Sequence, residues 1–276
     1  MLSLFKEKSY SLGFKIALVV ACGALLLGGG IIYFSFVNAR QNALEAAIDN
    51  TQATAAASAG KVRADVEEAL TVARNLSHIL ASYAIRNEQA RQDSLQRAVS
   101  RYEVSEMLKH VLMRQDFFLA VYTLWEPDAF DNEDKNYISR FKDNDETGRF
   151  IPYWFRRGNE IQVEPLVDYM EAGPGDYYQI PKSTRKEAII DPYKYPVSGK
   201  EVLLISAVAP VLKPSGDFLG IAGVDIQLGW IQHYLDQQSF MDGEGKMSII
   251  STNGTLAGVQ ALHELNGQTC TALFGD

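Results

Sequence analysis

Cysteine and histidine are both scarce in this 276-residue chain. The two cysteines, Cys22 and Cys270, are far apart in unlike surroundings, so the sequence predicts neither a disulfide framework nor a zinc site. The four histidines are scattered, and the chain has no G-x-S-x-G, no H-E-x-x-H and no Cys/His pairing. We therefore expect no catalytic residues, no metal and no cofactor.

The chain also lacks a basic stripe. It carries 26 basic against 34 acidic residues, a net charge of −8, which makes nucleic acid an unexpected partner. Hydrophobic residues make up 47% of the sequence, which excludes a disordered protein and allows one large or two small domains.

One long apolar run is present near the N-terminus. It reads IALVVACGALLLGGGIIYFSFV from Ile16 to Val37, about the roughly 20 residues needed to cross a bilayer. A signal peptide would have an apolar region of only about 7–15 residues and a small-residue cleavage site, so a cleaved signal is the weaker alternative. We predict a transmembrane helix over 14–37.

Basic residues are distributed unevenly around this span. Lys6, Lys8 and Lys15 precede it, whereas Arg40 after it is soon followed by acidic residues. The positive-inside rule then predicts that residues 1–13 form a cytoplasmic stub and that the body is periplasmic or extracellular. The span itself would lie in the inner (cytoplasmic) membrane.

After the span, two series of apolar or small residues recur every seven positions, which is typical of a long helix. The first is Ile48, Ala55, Val62, Ala69, Leu76 and Tyr83; the second, broken at Gln52, is Ala59, Val66, Ala73 and Leu80. Two interpretations remain open: a helix packed on its own domain, or a stalk that also pairs with a second copy to give a homodimer.

The next segments predict a mixed α+β domain. We expect a helix over 93–114 and a strand over 117–127. Residues 126–146 should form a solvated acidic loop. A calcium-binding loop is the weaker alternative for these residues, because the EF-hand spacing of ligands is absent. Strand-like pieces at 187–197, 201–212 and 218–228 are divided by turns and describe an antiparallel sheet. A helix-like run over 226–240, for which Asp225 could be the N-cap, precedes a hairpin turning at Asn253-Gly254.

The stretch GRFIPYWFRRG, from Gly148 to Gly158, has three consecutive aromatic residues that follow neither a helical period nor a strand alternation. We interpret it as an irregular segment. Together with DPYKY, PV and GDFLGIAGVDI further along, PYW resembles the double Cache sensor domain of bacterial chemoreceptors and other transmembrane receptors.

That resemblance implies a fold and a role. The fold is a long stalk helix and an antiparallel-sheet, PAS-like Cache module within 38–240, with the beginning of a second, smaller Cache module over 241–276. In this family the membrane-distal module holds a small ligand between its sheet and overhanging loops, so the aromatic row becomes a candidate pocket wall.

The amino-acid-sensing branch of the family has the pattern R-P-W-Y, then P-Y-x-D, then G-x-D. Here Tyr153 and Trp154 take the places of the two aromatics in exchanged order, and Ile151 stands where the arginine should be. Tyr195 replaces the first aspartate, whereas Asp225 keeps the second. A carboxylate would thus lose its bidentate partner unless Arg149 or Arg156 substitutes for it.

The resemblance therefore implies a ligand site with one acid among aromatic residues. Its members are Tyr153, Trp154, Tyr193, Tyr195 and Asp225, with Arg149, Trp125 and Tyr178 as further candidates. Such a site suits a purine-like ring or an alkylated amine better than an amino acid. Trp125 could face the pocket or the core, and Tyr177 and Tyr178 could cover the pocket or plug the sheet edge.

The resulting expectation is the ligand-sensing region of a chemotaxis or signal-transduction receptor. The alternatives are an exported, membrane-anchored hydrolase and a membrane-anchored adhesin. An adhesin would need no aromatic cavity with a buried acid.

Overall fold

A computed structural model of the chain describes residues 11–93, 95–138, 140–240 and 245–274. The chain divides into two compact units, 1–58 and 59–276. The predicted stub 1–13 lies largely outside the described residues, as do Lys6 and Lys8.

Helix α1 extends from Leu12 to Gln92. By length and composition it is the one helix among the described residues that could cross a membrane. Nearly all side chains over 14–37 are exposed. Ile48 and Ala55 are also exposed.

Farther along α1, the heptad residues pack on the chain's own sheet. Ala69, Ala73, Leu76 and Leu80 are buried in the core of the second unit, with Val62, Val66 and Tyr83 partly buried against it. Between residues 62 and 83, the two heptad series are therefore explained by a helix that packs on its own domain.

Six strands form one antiparallel sheet in the order β3-β2-β1-β6-β5-β4. They are β1 (Ala120–Trp125), β2 (Pro152–Arg157), β3 (Glu160–Pro165), β4 (Ala188–Val197), β5 (Lys200–Leu212) and β6 (Phe218–Gln227). The remaining helices are α2 (Arg101–Met113), α3 (Asp176–Thr184) and α4 (Gly229–Asp236). The predicted α+β class is confirmed.

Helix α2 begins eight residues later than the sequence predicted. Ser100 caps it: its hydroxyl accepts from the Glu103 amide, and the Glu103 carboxylate accepts from the Ser100 amide. This capping box satisfies two amides that the first turn leaves without partners, which sets the start of the helix.

The sheet is buried on both faces. One face, the helix face, packs against α1 and α2, and the other, the α3 face, packs against α3. This explains why the irregular interpretation of GRFIPYWFRRG was wrong: residues 152–157 are strand β2, and a strand covered on both sides shows no apolar alternation.

The acidic loop is not simply a solvated surface. The Arg101 guanidinium, 2% exposed, is 2.7 Å from Asp131 and also pairs with Asp134, which is itself buried. Its remaining hydrogen bonds reach Asn144 Oδ1 and the Gly148 carbonyl. Part of the acidic loop, which the sequence predicted to face solvent, therefore compensates the charge of the buried Arg101.

A second, two-stranded sheet follows α4. Strands β7 (Ser248–Ile250) and β8 (Leu256–Val259) pair antiparallel, as the Asn253-Gly254 turn predicted. Gly254 has φ +84°, a left-handed conformation that favours glycine.

Candidate ligand-binding site

Asp225 lies in the middle of the sheet, on its α3 face. It is in strand β6, paired with Ala120 on one side and Ser206 on the other, and only 2% exposed. The N-cap interpretation is therefore wrong, since α4 begins at Gly229 with Leu228 at its N-cap.

Two hydroxyls hold the Asp225 carboxylate. Ser206 Oγ donates to Oδ1 at 2.6 Å, and the Tyr153 hydroxyl donates to Oδ2 at 2.9 Å. Among the described residues, no cation pairs with this carboxylate. Burial raises its pKa to about 7, against the opposing effect of the hydrogen bonds from Ser206 and Tyr153.

Five tyrosine rings form a connected group that includes Tyr153, the partner of this acid, and we call them the tyrosine cluster: Tyr122, Tyr153, Tyr177, Tyr193 and Tyr195. Neighbouring ring centroids are between 5.4 Å and 6.2 Å apart, in tilted or edge-to-face arrangements. Three of the five were predicted as ligand-binding residues, and the structure brings them together with Asp225. Their π faces and one carboxylate offer complementary contacts to a cation or a flat N–H donor.

Most hydroxyls of the cluster are fixed. Tyr193 Oη is 2.8 Å from Ser206 Oγ, which itself donates to Asp225, so Tyr193 is the donor. Tyr177 donates to the Val167 carbonyl, and Tyr195 accepts from the Val167 amide. These bonds hold the rings in place before any ligand is bound.

Tyr122 is the exception. Its buried hydroxyl makes no hydrogen bond of normal geometry among the described residues, but it lies near Asp225 and Ser206 and adds to the lowering of the Asp225 pKa. The ring lies over Gly223, directly opposite on β6, where an added Cβ would come within 2.2 Å of it. Glycine thus makes room for Tyr122 beside Asp225.

Sequence reasoning missed Tyr122 and Ser206. Within β1 the alternate residues Ala120, Tyr122 and Leu124 share the α3 face, so the period of the predicted strand gave a usable signal for Tyr122. Ser206 gave none, because only its pairing with β6 places it beside Asp225.

Helix α3 covers the cluster. Tyr177 on this helix packs edge-to-face on Tyr122 and Tyr195. The next residue, Tyr178, is buried but turns to a different group: it donates to Glu126 and accepts from Arg149 and Lys182 at 2.8 Å and 2.9 Å. Tyr178 thus ties α3 to the end of β1 and does not reach Asp225.

Both arginines considered as substitutes are engaged elsewhere. Arg149 donates to the Trp125 carbonyl and to Tyr178, and Arg156 donates to the carbonyls of Phe118 and Gln115. Ile151 is buried on the α3 face.

The two predicted tryptophans lie on the helix face. Trp125 packs against Phe130, and Trp154 donates its indole N–H to Ser105 of α2 at 3.0 Å. Because successive strand residues point to opposite faces, Tyr153 and Trp154 cannot line the same pocket.

Comparisons with known proteins agree with this architecture. Residues 104–233 match the family model "Methyl-accepting chemotaxis protein-like, first PDC sensor domain". The curated methyl-accepting chemotaxis protein TlpQ of Pseudomonas aeruginosa strain PAO1 is 27% identical over 172 residues, 57% of this chain and 24% of TlpQ. The chain thus spans about a quarter of the length of that relative.

Crystal structures of two extracellular domains, from proteins named as histidine kinases, are also similar. The domain of mmHK1S-Z3 is 30% identical with a TM-score of 0.66, covering 78% of this chain and 71% of its own. That of mmHK1S-Z2 is 31% identical with a TM-score of 0.63, covering 75% and 70%. The chain belongs to the Cache (PDC) family of extracellular sensor domains.

Proposed function

We propose that this chain is the ligand-sensing extracellular region of a transmembrane chemotaxis or signal-transduction receptor, and that Asp225 with the tyrosine cluster binds a small nitrogen-containing ligand. The observation that carries the proposal is a buried carboxylate within the tyrosine cluster that has two hydroxyl donors and no cation among the described residues. A group of this kind is costly to ionise unless a ligand compensates its charge.

The chemistry of the site favours an amine or a purine-like ring. An ammonium group would pair with Asp225 and contact the tyrosine faces, whereas a purine-like ring would donate an N–H to the carboxylate and stack. An amino acid also needs a partner for its own carboxylate. Arg149 and Arg156 are engaged elsewhere, and Ile151 cannot serve.

The proposal includes the setting of the site in the membrane. The apolar part of α1 anchors the chain in the inner membrane, with the N-terminus in the cytoplasm and the sensor module outside. A homodimer would pair through the exposed seam residues of α1, such as Ile48 and Ala55, because those from 62 to 83 pack internally. We infer binding and signalling, not catalysis.

Isothermal titration of the full chain in detergent micelles tests the ligand class. The panel contains a primary amine, a quaternary ammonium salt, adenine and an amino acid, each measured with the wild type and with Asp225→Asn. We expect an amine or adenine to bind, and the asparagine variant to bind at least about tenfold more weakly, since a charge-assisted hydrogen bond is worth about 1.5–3 kcal/mol.

Two results would reject parts of this proposal. Binding of the amino acid alone would refute the ligand class. Equal affinity in the wild type and Asp225→Asn would refute the site.

A further inference from the structure

A cavity of about 730 Å³ lies on the helix face of the sheet, opposite the tyrosine cluster. It is bounded by the first turns of α2 and by the loop between β1 and β2. Trp154 and Val163 contribute from the sheet, Ser105 and Glu106 from α2, and Tyr137 and Asp143 from the loop. Its volume is in the range of small-molecule sites, about 300–1,000 Å³.

Trp154 is held in position at this cavity. Its indole N–H donates to Ser105 Oγ, and the Lys109 ammonium lies 5.2 Å from its ring centroid. The side chain is 8% exposed and borders the cavity. A large aromatic residue with its polar atom already satisfied presents its remaining surface as an apolar contact.

The opposite wall is held by Arg101. Its guanidinium lies 4.1 Å from the Tyr137 ring centroid, while its donors are taken by Asp131, Asp134, Asn144 and the Gly148 carbonyl. These partners compensate much of its charge, and its guanidinium supports the Tyr137 ring. Tyr137 is thereby fixed as a second aromatic surface.

Asp143 provides the acid of the cavity. Its carbonyl accepts from the Ile151 amide at 3.0 Å, which fixes its backbone beside β2. Its Oδ1 accepts from the side-chain amide of Asn144 at 2.7 Å. No cation of the described residues lies within salt-bridge distance of the carboxylate, although the charge of Arg101 acts on it from farther away. Desolvation by burial raises the pKa of this carboxyl, against the lowering effects of its hydrogen bonds and of the nearby Arg101 charge.

We propose that this cavity is a second small-molecule site, which takes an aromatic ring carrying a cationic amine. The ring would contact Trp154 and Tyr137, and the ammonium would pair with Asp143. Lys142 and Arg140 border the cavity but are exposed, so solvent screens their repulsion of a cation.

Fluorine NMR of the full chain, labelled with 5-fluorotryptophan in micelles, tests this site independently of Asp225. Phenethylamine is the probe, and 3-phenylpropionate is its counterpart with a similar ring and the opposite charge. Trp154→Phe assigns the Trp154 signal among the three tryptophans.

We expect phenethylamine to shift the Trp154 signal saturably, with a dissociation constant of about 1 mM or lower, and 3-phenylpropionate to leave it unchanged. Asp143→Asn should weaken this effect at least about tenfold. Glu133→Gln, which removes an exposed carboxylate of the same cavity, should change it less than about twofold.

The Asp225→Asn variant separates the two sites. It should respond to phenethylamine at Trp154 as the wild type does, even where the tyrosine cluster no longer binds an amine. The proposal is overturned if the Trp154 signal does not move, if Asp143→Asn responds normally, if phenylpropionate binds instead, or if the shift disappears in Asp225→Asn.

Discussion

At the scale of single residues, the Asp225 carboxylate destabilises the fold when it is ionised, and it is also the acid of the proposed ligand site. Its carboxylate is buried between Ser206 and Tyr153, and its pKa is raised to about 7. The folded domain therefore holds a proton on this group more tightly than the unfolded chain, whose aspartates titrate near 3.9. The charge that would serve a ligand opposes folding when no ligand is present.

This linkage fixes how stability depends on pH. The contribution of Asp225 is fully present below the unfolded pKa and is lost as the pH rises through the folded value of about 7. We expect the melting temperature of the wild type to fall between pH 5 and pH 8 more than that of Asp225→Asn. Between these two pH values the wild type should lose roughly 2–3 kcal/mol more stability than the variant.

Thermal unfolding of both chains across this pH range, without ligand, measures the effect. Asp116→Asn is the control, because the Asp116 side chain is fully exposed. Parallel pH profiles for the wild type and Asp225→Asn would contradict the prediction.

At the scale of elements, α3 covers the tyrosine cluster. Tyr177 packs on the rings while its neighbour Tyr178 joins Glu126, Arg149 and Lys182 in one polar group. Because Asp225 and most of the rings are buried, a ligand that enters from this side has to displace α3. The polar group at Tyr178 opposes that displacement.

Glu126→Gln should loosen α3. The change leaves Arg149 and Lys182 without their shared carboxylate, so local opening should become easier by roughly 1–2 kcal/mol. We expect amide hydrogen exchange over 176–184 to accelerate about tenfold, measured by mass spectrometry on the full chain.

Glu201→Gln is the matched control, since it breaks only the exposed pair with Lys194. Equal exchange over 176–184 in the wild type and Glu126→Gln would show that the polar group does not hold α3.

At the scale of the whole molecule, the chain's two cysteines report on its topology. Cys22 lies in the predicted span, whereas Cys270 lies in the body and is partly exposed. If the body is outside, a membrane-impermeant maleimide added to spheroplasts should label Cys270.

Cys270→Ser should abolish the labelling, and lysis before labelling should not increase it in the wild type. Labelling that appears only after lysis would place the body in the cytoplasm and refute the proposed orientation.

The sequence by itself determined several of the elements and the family. A run of apolar residues longer than a signal region predicted the span, and strand-like pieces between Gly and Pro turns predicted β4, β5 and β6. The Asn253-Gly254 turn predicted the β7–β8 hairpin. These features depend on local chemistry over a few residues, so no tertiary contact is needed to recognise them.

Only the tertiary structure decided which face each aromatic residue occupies. In a strand buried on both sides, a one-residue difference moves a side chain to the opposite face, and the apolar pattern does not reveal which face is which. Tyr153 therefore contacts Asp225, whereas Trp154 contacts α2. Likewise, Ser206 and Tyr122 join Asp225 only because β5, β6 and β1 pair in register across long stretches of chain, which no local pattern encodes.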